Sequence, residues 1–278
     1  MKGIAAMITG MAFLIGSDVA TKILAQTHSL GQVICLRQLA CLLFVLPFVL
    51  RSPGLSILRP RNVTMQIVRG LVFICSSFLI VLSLSLLPLP TVTAITFAGP
   101  IMIALMSVPL LRERVSGSLW LATLLGFMGV LLIIRPGTDA FSWALLAPLA
   151  AAFASSIRDV LARILARTDS SISILFWSSL VLVAGTALTA PFGWAEVSAS
   201  SGWLFLLGGA ANFCAHFLLI EAYRLSPAAV VAPFKYTSLL WSAALGYLIW
   251  GDLPGGWVWA GAAILVVSGL WIARAHKA

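Results

Sequence analysis

The chain has 278 residues, of which 61% are hydrophobic and only 9% charged, against roughly 25% charged in ordinary soluble domains. So few charged side chains cannot cover the surface of a soluble protein this long, and the apolar surface must face lipid. The net charge of +9 falls mostly in short connections between apolar runs, without the basic stripe and interleaved aromatics that would imply a nucleic-acid partner.

A helix needs about 20 mostly apolar residues to cross a hydrocarbon layer of roughly 30 Å. Polar and turn-forming breaks divide the chain into ten such runs, near 3–25, 30–50, 63–86, 90–111, 117–135, 142–166, 171–190, 201–223, 227–250 and 256–273. Because every backbone polar group must be satisfied inside lipid, the runs predict an all-α integral membrane bundle of ten transmembrane helices. The first run follows Lys2 and resembles a signal peptide, but it lacks a small-x-small cleavage site, so it is expected to remain as a helix. Near its end stand Asp18 and Lys22, an acid before a base at i,i+4, the favourable order on a helix. The second run carries Arg37 and Gln38, and Arg37 lies near enough to the outer third to snorkel. In the third and fourth runs Ser76, Ser77, Phe78, Thr93, Thr96 and Phe97 set small hydroxyls beside aromatics. Such residues pack helices, and they also suit a cavity that solvates a polar headgroup and a ring.

The sixth run repeats the acid–base pair as Asp159 and Arg163, with Arg158 beside them. Trp177 in the seventh run and Trp241 in the ninth lie deeper than the tryptophans at run ends, such as Trp143, Trp203 and Trp257, which read as an interfacial belt. The eighth run carries Asn212 and His216 on one helix face, suited to tying helices together or to handling substrate or protons. The ninth holds Pro233, Lys235 and Tyr236. Lys235 lies eight residues in, roughly 12 Å deep, where a cation needs a partner or a wet cavity. It either receives a substrate carboxylate or belongs to an internal ion pair. Pro100, Pro148 and Pro233 are expected to kink their helices as hinges. The four cysteines sit singly in apolar runs and give no metal or disulfide spacing.

Two stretches of twelve residues, starting at Asp18 and at Asp159, share seven identical positions, and Lys22 is matched by Arg163. The chain therefore reads as one unit used twice, over residues 1–137 and 138–278. A second echo pairs Pro90 with Pro227, Glu113 with Asp252 and Trp120 with Trp259. With both termini inside, the cytoplasmic segments collect Lys2, Arg51, Arg59, Arg61, Arg112, Arg114, Arg167, Arg224, Arg274 and Lys277, while the other side keeps little beyond Lys22 and Arg135. Five spans per unit is an odd number, so the second unit enters the membrane upside down. The two acid–base pairs then lie toward opposite sides, where they could seal the two mouths of a pathway or simply pack.

Ten helices in two halves, each closing on a Pro…Glu/Asp…Trp pattern, resemble the drug/metabolite transporter superfamily of EamA type. Pro90 through Gly129, with Pro100 and Glu113, carries the resemblance best; the counterpart, Ala222 through Gly269, has Leu239 where Pro100 would align. The resemblance covers essentially the whole chain and implies secondary transport of small metabolites by a monomer without cofactors. Within the superfamily the chain looks most like bacterial inner-membrane exporters of aromatic and other neutral amino acids. Members that carry anionic substrates also place a basic residue on the ninth helix, which for this chain is Lys235. The expected substrate contacts are Lys235, Tyr236, Asn212, His216, Phe78, Phe97, Ser77, Trp177 and Trp241, with Asp18, Lys22, Asp159 and Arg163 as gating pairs.

The alternative readings are an exporter of other metabolites or of cationic drugs by proton antiport and, more remotely, an integral-membrane enzyme. Only eight acids occur, spread singly, with histidines at 28, 216 and 276 and no P-loop or metal motif. That argues against metal catalysis and against an ATP-driven pump. Proton-coupled export of cationic drugs would want an acid at mid-membrane, whereas the deepest ionisable group outside the two pairs is Lys235.

Overall fold

The computed structural model describes residues 2–50, 54–99, 101–102, 106, 117–135, 142–226 and 231–275. Pro100, Pro109, Glu113, Pro227 and the loop residues Arg51, Arg112, Arg114 and Lys277 lie outside these described residues. Among the described residues there is helix and no strand. The helices are α1 (Lys2–Leu24), α2 (Leu30–Leu43), α3 (Leu46–Leu50), α4 (Val63–Leu86), α5 (Leu89–Thr96), α6 (Gly117–Ile134), α7 (Leu146–Leu165), α8 (Ser171–Ala187), α9 (Ala199–Leu225), α10 (Thr237–Trp250) and α11 (Gly256–Ala275).

Helix starts follow local chemistry. The side chains of Asn62, Ser170 and Ser198 accept hydrogen bonds from the backbone N–H groups of Met65, Ser173 and Ser201, so α4, α8 and α9 each begin on a capping residue. At the other end of α10, Gly251 adopts φ +73°, a left-handed stop that favours glycine. Prolines mark junctions. The expected single run 30–50 divides at residues 44–45 because Pro47 has no N–H to donate to Leu43, the last residue of α2. Pro148 stands in the first turn of α7, just after a 3-10 turn over Trp143–Leu145. It therefore helps start a helix and does not kink the middle of one, a correction to its expected role as a hinge. Pro233 falls within a 3-10 turn, Ala232–Tyr236, that leads into α10.

Burial differs from that of a soluble protein in what joins the apolar core and what stays outside. Ser17, Gln32, Arg37, Gln38, Gln66, Arg69 and Asn212 are buried, while Leu71, Leu124, Phe127, Leu207, Leu240 and Leu248 are exposed. An apolar exterior, with the polar side chains of the spans turned into an otherwise apolar interior, is the pattern lipid imposes. Among the described residues, five helices are long and apolar enough to cross a membrane: Lys2–Leu24, Leu30–Leu50 (the broken α2–α3), Val63–Leu86, Trp143–Leu165 and Ala199–Leu225. Apolar stretches within α6, α8 and α11 are shorter. The protein is multi-pass.

The helices of the two sequence halves interleave. The largest packing surfaces join α1 to α9, α4 to α7, α2 to both α8 and α9, α4 to α8, and α6 to α11, with α10 lying on α1 and α5. If α1 is exchanged with α7, α2 with α8, α4 with α9, α5 with α10 and α6 with α11, each of these contacts maps onto another, counting α5 against α7. The packing thus carries the duplication that the repeated sequence announces. In the α6–α11 pair a Cβ added at Gly129 would come within 2.9 Å of the Gly261 carbonyl, and one at Gly261 within 2.6 Å of the Gly129 carbonyl. Only glycine on both sides allows that approach.

A charged cavity between the two halves

A cavity of about 150 Å³ lies where α1, α4, α5, α7, α9 and the turn before α10 converge, so both halves build its wall. Its ionisable lining is Asp18 from α1, Arg37 from α2, Arg158 and Asp159 from α7, His216 from α9 and Lys235. Small hydroxyls (Ser76, Ser77, Thr93, Thr96) and the rings of Phe73 and Phe97 complete one side.

One group of charges is already satisfied. Lys235 Nζ donates to Asp159 Oδ2 at 2.6 Å, and Arg158 Nη2 donates to Asp159 Oδ1 at 3.2 Å. The Arg158 guanidinium lies 5.0 Å from the Phe73 ring centroid and Lys235 Nζ lies 5.6 Å from that of Tyr223. A carboxylate between two cations in a partly dry site is strongly held, and removing one partner strands the other charge. Lys235 is thus the internal ion pair that the sequence left open as one of two readings.

The i,i+4 pairs expected within α1 and α7 do not form. Asp159 turns to Lys235 and to its own neighbour Arg158, while Arg163, one turn on, is exposed. Lys22 reaches past the end of α1 to Asp252 Oδ2 at 3.4 Å and the Leu87 carbonyl at 3.1 Å, with Trp250 beneath it at 4.9 Å. The physical reason is common to both copies. The acids face the cavity, whereas the long basic side chains leave it, Lys22 for partners past the helix end and Arg163 for the exposed surface. Asp18 is left with no ion pair among the described residues.

Other expected contacts divide clearly. Asn212, His216, Ser77 and Phe97 line the cavity with Lys235. Asn212 also donates to Gln38 Oε1 at 2.9 Å, and Gln38 donates to Ser179 Oγ at 2.5 Å, so a polar chain ties α9 to α2 and α8. The His216 ring meets Phe73 edge-on at 5.2 Å. Tyr236 stands behind the wall, its ring T-shaped against Phe97 at 4.8 Å. Phe78, Trp177 and Trp241 are not brought to the cavity. Phe78 packs with the cluster around Leu24, Val33 and Phe73. Trp177 donates its indole N–H to the Leu58 carbonyl at 2.8 Å. Trp241 is 42% exposed because α10 turns Ser238, Leu239 and Ser242 inward and presents Leu240 and Trp241 outward.

Two arginines matter more than their sequence suggested. Arg37 does not snorkel: it is 5% exposed and donates to Thr21 Oγ1 at 2.5 Å and Ser17 Oγ at 3.4 Å. Arg69, which drew no attention in the sequence, is 3% exposed and donates to Ser178 Oγ and the Ile174 carbonyl. The signal that could have found it is an arginine seven residues into an apolar run.

The doubled packing and its charged central cavity have a match among known families. The model of the EamA-like transporter family fits residues 1–135 and again residues 141–274. The chain belongs to that family. It is similar to the S-adenosylmethionine uptake transporter of Rickettsia prowazekii (strain Madrid E), with 27% identity over 262 residues, 94% of this chain and 88% of the relative. It is also similar to the riboflavin transporter of Vibrio cholerae serotype O1 (strain ATCC 39315 / El Tor Inaba N16961), with 29% identity over 272 residues, covering 96% and 91%. A solved crystal structure shares the fold at a TM-score of 0.68 and 20% identity, covering 99% of both chains. This protein is a membrane transporter of the EamA-like family. Neither relative is named for amino-acid export, so the narrower expectation of aromatic amino-acid export draws no support from them.

Proposed function

We propose that the protein is a ten-span secondary transporter of the bacterial inner membrane, monomeric and with both termini cytoplasmic. Residues 1–137 and 138–278 act as inverted five-helix units that rock about the central cavity, which takes up a small polar metabolite bearing a ring. The observation that carries this reading is the cavity itself. Both halves line it, it brings hydroxyls and charges together beside Phe73 and Phe97, and it lies among helices whose outer faces are apolar. Aromatic and other neutral amino acids remain the first substrates to test, and the relatives' names widen the set to S-adenosylmethionine and riboflavin. Three cations (Arg37, Arg158, Lys235) against two acids (Asp18, Asp159) make a positive cavity, which argues against a lipophilic cation as cargo.

The test is uptake of labelled phenylalanine, threonine, S-adenosylmethionine, riboflavin and tetraphenylphosphonium into proteoliposomes containing the purified protein. Saturable uptake of at least one of the first four, with little uptake of the last, is the expected result. Movement of tetraphenylphosphonium alone would overturn the reading. Repeating the assay with an imposed pH gradient decides between proton coupling and facilitated diffusion.

A further inference from the structure

The cavity's charges fall into two sets, and only one is spent internally. Asp159 is held between Lys235 and Arg158, a group that keeps one net positive charge but whose members are committed to each other and cannot turn to a ligand without breaking a buried pair. Asp18 and Arg37 differ. Both line the cavity, and Arg37 lies against the α1 turn that bears Asp18, bonded to Ser17 and Thr21 on either side of it. Yet no nitrogen of Arg37 comes within 4.0 Å of a carboxylate oxygen of Asp18. Arg37 Nε is buried without any hydrogen-bond partner, and among the described residues no carboxylate pairs with the guanidinium. A buried guanidinium that spends its bonds on two hydroxyls has an unmet demand for an anion. A carboxylate nearby that lacks an ion pair has the complementary demand for a cation.

We propose that Asp18 and Arg37 form a split clamp for a zwitterionic α-amino carboxylate, with the ammonium received by Asp18 and the carboxylate by Arg37. This assignment rests on the transport function proposed above and narrows its substrate class. It moves the anion subsite from Lys235, where the sequence pointed, to α2. The clamp matches the two charges of the substrate with two charges of the protein, so the site gains neither net charge nor an unpaired group on binding. The rings of Phe73 and Phe97 on the same cavity wall give the remainder of such a substrate an apolar surface.

The experiment is competition against labelled phenylalanine uptake in proteoliposomes, using unlabelled phenylalanine, phenethylamine (no carboxylate) and 3-phenylpropionate (no amine). Wild type should prefer phenylalanine to each truncated analogue by about tenfold or more, the worth of one charge-assisted hydrogen bond in a desolvated site. Arg37→Gln should abolish the preference over phenethylamine while keeping that over 3-phenylpropionate, and Asp18→Asn should do the reverse. Arg37→Lys, which keeps the charge, should restore most of the preference lost in Arg37→Gln. A purely structural role for either residue would not produce this crossed pattern. Equal competition by all three compounds in wild type, or equal loss of both preferences in each variant, would overturn the clamp. Riboflavin uptake by wild type without uptake of phenylalanine, threonine or S-adenosylmethionine would overturn the clamp and leave the transporter standing. No uptake of any probe would overturn both.

Discussion

The stretch beginning at Asp18 and the stretch beginning at Asp159 are near-copies in sequence, and they end in different chemistry. In α7 the acid is buried between two cations and its following base, Arg163, is exposed. In α1 the acid faces the cavity with no ion pair among the described residues, and its following base, Lys22, fastens two chain turns at the helix end. The difference comes from what the rest of each unit supplies. The position matching Lys235 in the first unit falls within Thr96–Ala98, where no cation stands, and Ser17 occupies the place of Arg158. Duplication therefore reproduced the backbone placement and left the partners free to diverge. One acid became structural, and the other stayed open to a ligand.

That contrast can be broken most severely at Lys235. Lys235→Met leaves Asp159 with one cation and should cost roughly 3–5 kcal/mol of stability, read as a large fall in melting temperature in detergent. The triple variant Lys235→Met/Asp159→Leu/Arg158→Met, which removes the whole charged group and strands no partner, should recover much of that loss. No recovery would mean that the pair is not what holds α7 to the turn before α10. Next, Asp18→Asn and Asp159→Asn should separate: the first keeps its melting temperature to within the effect of about 0.5 kcal/mol while phenylalanine uptake falls, and the second loses both. Parallel losses would make the two acids equivalent after all. Asp252→Asn should cost about 1 kcal/mol or less, because the pair with Lys22 is partly exposed. Its larger effect should be on labelling, with a cysteine placed at Leu87 reacting faster with a membrane-impermeant maleimide. The smallest effect belongs to Arg163→Ala, an exposed side chain, at no more than about 0.5 kcal/mol either way.

How far the sequence carried depends on the kind of residue. The run 63–86 coincides with α4 to the residue, because Asn62 caps its start and Leu87, extended before Pro88, ends it. Asn212, His216 and Ser77 were legible as cavity residues because polar groups within an apolar run must turn inward, and Phe97 only as an aromatic beside the hydroxyls of Thr93 and Thr96. Trp241 was not, since depth along a helix does not say which face a ring occupies. The partners of Lys22 and Asp159 were illegible for another reason. Their side chains meet residues 230 and 76 positions away along the chain, and an i,i+4 rule sees only one helix. Lys235 was legible as a buried cation needing a partner or a wet cavity, and nothing in its own surroundings named Asp159.

Arg69 has a bearing on how the chain is made. Its acceptors, Ser178 and the Ile174 carbonyl, lie 109 and 105 residues further on. At a synthesis rate of about 5–20 residues per second, the arginine leaves the ribosome roughly 5–20 s before they do. During that interval the first half of the chain holds a guanidinium with neither of its final acceptors, and α1, α2 and α4 lack the helices they mainly pack against. The early half must therefore wait, loosely assembled in or beside the translocon, for the later half to arrive. The duplicated unit is a unit of ancestry; the unit of assembly is the whole chain.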